Sequence, residues 1–176
     1  MTDVIPLIDL EPWFAGSEAD RDAVVDAVRG ACETMGFFMI SGHRVDPVVI
    51  DRMYDASRAF FDLPAAQRMA VPPVGDEPGG LMHFSYGMEY LAATLGEETP
   101  PDCKEAIDYG PLYHGSPWPA EPAGLKEAWF AYYDALDDLC ATLRRILARA
   151  AQLPADYFEP FFENDLSSLR ALDYPE

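Results

Sequence analysis

At 176 residues and 19.5 kDa, with 49% hydrophobic and 24% charged residues, the chain has material for one ordinary domain, or one and a fraction. That composition excludes wholesale disorder. Thirty-one acids against twelve bases give a formal charge of −19, which argues against nucleic-acid partners and anionic membrane surfaces, since both are held by Lys and Arg. No apolar run reaches the roughly 18 residues of a membrane span, and the first residues lack the basic start and apolar stretch of a secretory signal. Cys32, Cys103 and Cys140 form an odd, widely spaced set without Cys-x-x-Cys. Such usage points to a reducing compartment and a cytoplasmic protein.

The chain opens on a short strand within residues 4–10, where Pro6 fits the strand's beginning or an edge. Ser17 is placed to cap a helix with Asp20 three residues on, and Val24, Ala27, Val28, Ala31 and Met35 share one face of that helix. Gly36 stops it. Phe37-Phe38-Met39-Ile40-Ser41, bounded by glycines, reads as a buried strand. Asp46-Pro47 starts a second helix, which ends at Leu63-Pro64. This first region, 1–69, is mixed α/β. Region 70–124 holds nine of the sixteen prolines and eight of the twelve glycines, so it reads as an irregular segment without long regular elements. Its many aromatic residues mark it as a covering. The third region, 125–176, carries a long helix at 125–151, with Leu125, Trp129, Tyr132, Leu136, Leu139, Leu143, Ile146 and Ala150 spaced alternately by four and three. A strand from Ser168 to Tyr174 follows it.

Catalytic motifs are absent. None of His43, His83 and His114 has an acid two residues on, as a His-x-Asp iron site needs. The grouping His83, Cys103, Asp108 and His114 matches no zinc spacing and reads as ordinary loop residues. There is no Gly-x-Ser-x-Gly elbow, no phosphate-binding loop and no Gly-x-Gly-x-x-Gly. The residues alone therefore give no catalytic and no metal-binding assignment.

Seven short segments in order resemble one family. They are 5–10 (IPLIDL), 36–43 (GFFMISGH), 60–64 (FFDLP), Ser85-Tyr86-Gly87, 104–108 (KEAID), Trp118-Pro119 and 169–175 (LRALDYP). Together they resemble the N-terminal region of the non-haem Fe(II)/2-oxoglutarate-dependent dioxygenases related to isopenicillin N synthase. Position 42 departs from the pattern, with Gly where the family usually has Asn. The resemblance implies the helical and short-strand region that precedes a double-stranded β-helix (jelly roll), with the barrel truncated. It also implies an oxidoreductase that hydroxylates, desaturates or cyclises a small organic substrate with Fe(II) and 2-oxoglutarate. The family's iron ligands and 2-oxoglutarate anchor lie downstream of the segment matching 169–175, so none is assigned here and the isolated chain is expected to be inactive. The implied partners are the small-molecule substrate and the missing C-terminal barrel half, in the same or a separate chain.

Arg170 and Tyr174 match the strand entering the barrel and fall on one face by their even spacing. They either bind substrate there or pack within the barrel, with Arg170 in a salt bridge. A stand-alone, non-catalytic binding or regulatory module derived from such an oxygenase is the alternative function. Two physical expectations follow from a missing barrel. The final strand finds its partners largely outside this chain, and Trp129, Leu136, Leu143 and Ile146 form an exposed apolar stripe.

Overall fold

The computed structural model describes residues 4–68, 83–86, 104–110, 118–163 and 167–174. The chain divides into two compact units, Met1–Pro47 with Asp134–Asn164, and Val48–Tyr133 with Asp165–Glu176. Each has its own core.

In the first unit, strand β1 (Leu7–Asp9) pairs in parallel with β2 (Met39–Ser41). The crossover between them carries helix α1 (Glu11–Ala15) and helix α2 (Glu18–Thr34). Ser17 caps α2 reciprocally: its Oγ accepts from the Asp20 amide, and Asp20 Oδ2 accepts from the Ser17 amide at 2.8 Å. The Ser17 hydroxyl also donates to Asp20 Oδ2 (2.7 Å), and this bond, followed by that of the Ser17 amide, holds the Asp20 carboxyl below its usual range. At the far end Gly36, at φ +85°, turns the chain out of the helix while its amide still bonds Ala31 O. Ile8, Leu10, Val24, Val25, Val28 and Ala31 form the core with Ile146 of the last helix, α5 (Leu125–Ala150). Arg149 near the end of α5 reaches both Glu18 (2.7 Å) and Asp22 (2.6 Å) on α2. Its hydrogen bond depresses the Glu18 carboxyl.

The turn after β2 departs from ideal backbone. Gly42 lies at φ +61°, and a Cβ there would collide with Asp9 Oδ1 and the Glu11 amide, which accounts for glycine at this position. Arg44 also sits at φ 60°, a conformation that disfavours side chains. It is held by a two-pronged bond to Glu11 (3.0 and 2.6 Å) and lies over the Phe14 ring at 4.7 Å. The bond to Arg44 keeps the Glu11 carboxyl below its ordinary value and raises Arg44 in return.

The second unit holds helix α3 (Pro47–Phe61, less its first residue), the short α4 (Ala65–Arg68), the first third of α5, and an antiparallel sheet. The sheet order is β3 (His83–Tyr86), β4 (Glu105–Tyr109), β5 (Leu169–Asp173). Phe60, Ile107, Tyr109, Leu125 and Trp129 make its core. Tyr109 stacks on Phe130 at 4.8 Å and meets Tyr133 edge-on at 5.2 Å. Trp129 Nε1 donates to Ser57 Oγ (2.9 Å), and Ser57 donates to Met53 O (2.8 Å).

The anticipated strands and helices appear in their expected order, with α5 one residue short of its expected limit, while α1 and the two short strands β3 and β4 within 70–124 are additional to them. Three expectations are corrected. Residues 37–41 do not form a buried strand: only Met39–Ser41 is strand, and Phe37 and Met39 are 54% and 50% exposed because that side of the pair carries no covering element among the described residues. The final strand, expected to find its partners largely outside this chain, is paired along one edge by β4, from Glu105↔Asp173 to Tyr109↔Leu169, and stands at the edge of the described sheet. The stripe on α5 is not exposed. Trp129 and Ile146 are both 0% exposed, Leu143 packs on the first core, and Leu136 is half-buried. The helix serves two cores in succession, so its apolar face is covered by α2 and β1 along one stretch and by α3 and β4 along another.

Candidate functional site

β4 and β5 set the geometry of the residues singled out from sequence. β4 is buried along its whole length, although Glu105 and Asp108 are charged. Register places Asp108 opposite Arg170, Ala106 opposite Leu172, and Glu105 opposite Asp173. Period two then separates two faces. Leu169 and Ala171 turn to the second core, whereas Arg170, Leu172 and Tyr174 point the other way and are exposed.

Asp108 is 3% exposed. Arg170 meets it with Nε to Oδ1 at 2.6 Å and Nη2 to Oδ2 at 3.2 Å, a fork that fixes the guanidinium in one orientation. Nearly half of the Arg170 side chain remains at the surface. The neighbouring strand brings the His83 backbone into register with Asp108.

A second charged pair lies on the core-facing side. Glu105, 2% exposed, accepts from Arg68 Nη2 at 2.7 Å, and Arg68 Nη1 also bonds the carbonyls of Phe61 (2.8 Å) and Leu63. Among the described residues, Glu105 Oε2 and Arg68 Nε have no hydrogen-bond partner. This pair joins α4 and the end of α3 to β4. A cavity of about 570 Å³ lies between α3 and β5, with Tyr54, Ser57, Arg58, Asp62 and Asp173 supplying its polar lining. Leu172 reaches it, but Arg170 and Tyr174 are not among its lining residues.

The structure therefore places Arg170 and Tyr174 on one face. It also supplies two residues that sequence reasoning left without these roles: Asp108, which orients Arg170, and Arg68, which neutralises Glu105. The signal for both lay in residues 104–108, where two acids flank two apolar residues in a short run between prolines.

No metal centre is assembled: among the described residues no three His, Cys, Asp or Glu side chains could hold an ion. His43 Nδ1 accepts from the Val45 amide at 3.1 Å and serves the turn after β2. Of the grouping dismissed from sequence, Cys103 and His114 lie outside the described residues. Among the described residues, no helix is long and apolar enough to cross a membrane.

Comparison with known proteins gives a consistent result. Residues 5–131 match the family model described as the N-terminal region of the non-haem dioxygenase in morphine synthesis. A 2-oxoglutarate-Fe(II) type oxidoreductase, hxnY, from Emericella nidulans is 30% identical over 188 positions, covering 97% of this chain and 52% of that protein. Validamycin A dioxygenase from Streptomyces hygroscopicus subsp. limoneus is also 30% identical, over 90% of this chain and 46% of its own length. Among solved structures, a C-terminally truncated Neurospora crassa protein in its apo form superposes with a TM-score of 0.78 at 26% identity, over 98% of this chain and 62% of that one. The full-length form of that protein, in complex with alpha-KG and thymine, gives 0.76 at 26% identity, over 98% and 56%. The chain spans about half the length of the curated relatives it matches.

Proposed function

We propose that this chain, which belongs to the family of non-haem dioxygenase N-terminal regions, is the N-terminal portion of an Fe(II)/2-oxoglutarate-dependent oxygenase acting on a small organic substrate. The observation that carries this reading is the family match across residues 5–131, joined to relatives whose own length is about twice the matched part. Fe(II) and 2-oxoglutarate are named for the Emericella nidulans relative. Among the described residues, no group of side chains fits the metal. The contribution we assign to this portion is structural and recognitional. It braces the jelly-roll barrel, which the remainder of the fold would supply, and it walls part of the substrate cavity. On the same reading, Arg170 and Tyr174 face the substrate from β5. Asp108 holds the Arg170 guanidinium in place, so that little rotamer freedom remains to be lost when a polar substrate group binds.

Anaerobic Fe(II) titration of the chain, with succinate release as the second readout, tests the assignment of roles. The expected result is neither a stoichiometric iron site nor turnover. Finding both would place the chemistry within these residues and refute it. Reading the nucleotide sequence beyond codon 176 for a His-x-Asp tests the partition itself.

One observation favours the second reading, a stand-alone binding or regulatory module. The stripe on α5 is covered by this chain's own residues, so the helix does not need a barrel to bury it. That removes one reason for dependence on a second half.

A further inference from the structure

We infer that the cavity between α3 and β5 is a binding site for a small protonated amine with an apolar body. Every residue of that cavity belongs to the second unit of this chain, so the site stands whatever becomes of the N-terminal reading. Helical spacing gives the α3 wall two rows, which the bond from the Asp62 amide to the Arg58 carbonyl extends one residue past the helix. Met53, Ser57 and Phe61 form the inner row, half-buried or buried, and Tyr54, Arg58 and Asp62 form the outer, exposed row. β5 supplies the other wall, and its alternation sets Ala171 and Asp173 on the face that Leu169 turns to the second core, away from Arg170 and Tyr174. At about 570 Å³ the cavity has the volume of a small-molecule site.

Charge selects the ligand. Glu105 stands directly opposite Asp173 in the β4–β5 ladder, so two carboxylates share one face at adjacent positions, an arrangement that is unfavourable by itself. Arg68 bonds only Oε1 of Glu105, and the other oxygen, on a residue 2% exposed, has no partner among the described residues. Among the described residues, the side chains of Asp62, Asp173 and Arg58 make no ion pair. In and beside the cavity, three carboxylates (Asp62, Asp173, Glu105) thus stand against two guanidiniums (Arg58, Arg68), which leaves one negative charge in excess. A monocation balances it. An ammonium brings three donors and no acceptor, the inventory that carboxylates need. Met53, Phe61 and Ala171 offer apolar contact, which sets the body of the ligand. A carboxylic acid of the same shape would add to the excess, and a neutral alcohol would leave it unmet.

Ser57 gives the cavity a reporter, because it lines the wall and accepts from the buried Trp129 indole N–H. The test titrates the chain with phenethylamine, phenethyl alcohol and hydrocinnamate, three probes of similar body and different charge. Salt at about 0.15 M screens unspecific attraction to a surface of net charge −19. Calorimetry is read together with the Trp129 indole resonance, assigned through Trp129→Phe. Expected is a Kd for phenethylamine of about 1 mM or below, with the other two probes at least about tenfold weaker. The Trp129 resonance should shift while that of Trp13, in the first unit, stays. Asp173→Asn should weaken the amine about tenfold without lowering Tm, because it also relieves the repulsion with Glu105. Asp62→Asn, at an exposed position, should weaken it as well. The alcohol or hydrocinnamate binding as tightly as the amine overturns the inference, and so does the absence of binding by all three. Amine binding that leaves Trp129 unmoved, or that survives Asp173→Asn undiminished, places the amine elsewhere and overturns it too. Should Asp173→Asn melt lower than the parent chain, Asp62→Asn decides in its stead, and undiminished binding there has the same consequence.

Discussion

Ile146→Ala measures whether α5 is covered by this chain's own residues. The side chain is fully buried in the first unit, among Ile8, Leu10, Val24, Val25, Val28 and Ala31, so truncation leaves a void in a filled core. Core truncations of this kind cost about 2–5 kcal/mol. In a chain of this size each kcal/mol lowers Tm by roughly 2–4 °C, so the expected fall is about 4–20 °C. Leu147, the next residue along the helix, is 36% exposed and provides the control. Its truncation should stay within about 0.5 kcal/mol, as surface changes do. Urea denaturation followed by far-ultraviolet circular dichroism, together with thermal melts, reads both variants on the same helix. Equal costs for Ile146→Ala and Leu147→Ala would refute the reasoning, because they would mean that the stripe lies open in solution, as an unaccompanied half-fold would have it.

Ser57→Ala should cost about 1–3 kcal/mol by urea denaturation, since it leaves the buried Trp129 indole N–H without its acceptor. Trp129→Phe combined with Ser57→Ala should cost less than the sum of the two single changes; strict additivity would show that the bond is not made. Arg68→Met leaves the Glu105 carboxylate buried without its cation and should destabilise by about 3–5 kcal/mol, with Arg68→Met/Glu105→Gln recovering part of the loss; no recovery would deny the pair. The Glu11 carboxyl is depressed by its bond to Arg44, so its contribution is fully present above the ordinary value of 4.5 and is lost as pH falls through the lower, folded value. Carboxyl NMR titration of Arg44→Gln should show Glu11 titrating at higher pH, towards 4.5; an unmoved Glu11 would count against the bond. In the oxygenase completed by its barrel, Tyr174→Phe should change substrate affinity or product ratio more than Tm, and lost stability with unchanged kinetics would assign Tyr174 to packing.

The elements that sequence reasoning found are those with local punctuation. Ser17 and Asp20 announce the start of α2, Gly36 its end, and Pro47 the start of α3, because caps and breakers act within a turn of where they stand. The periodicity of α5 is long enough to carry itself. What covers that helix was not legible in the same way. Spacing gives the stripe on α5, but its partners come from α2, far earlier in the chain, and from β4, inside a proline- and glycine-rich segment. β4 carries no alternation because both of its faces are buried, and five residues with two acids among them hardly resemble a core strand until Arg68 and Arg170 are seen to neutralise those acids. The candidate site was legible to the extent that it lies on one strand: Arg170 and Tyr174 share a face by parity alone, whereas Asp108 joins them through register, which a single sequence does not carry.

The two readings offered for Arg170, substrate contact and salt-bridged packing, are not alternatives in this geometry. A surface Arg free to rotate would lose side-chain entropy on binding a substrate group. One forked to a carboxylate that is itself only 3% exposed has lost most of that freedom on folding, while nearly half of its own side chain stays at the surface. The acid must also be paired, since a buried carboxylate without a cation is strongly destabilising, and folding therefore enforces the orientation. The pairing thus ties Arg170 to stability through Asp108, while its exposed portion stays available for the substrate role proposed for it. Truncating Arg170 perturbs both and separates neither. Tyr174 lies one residue beyond the last pair of the β4–β5 ladder and is 67% exposed, so a change there touches the outer face of the strand without disturbing Asp108. That makes Tyr174 the cleaner probe of the substrate role proposed for this face.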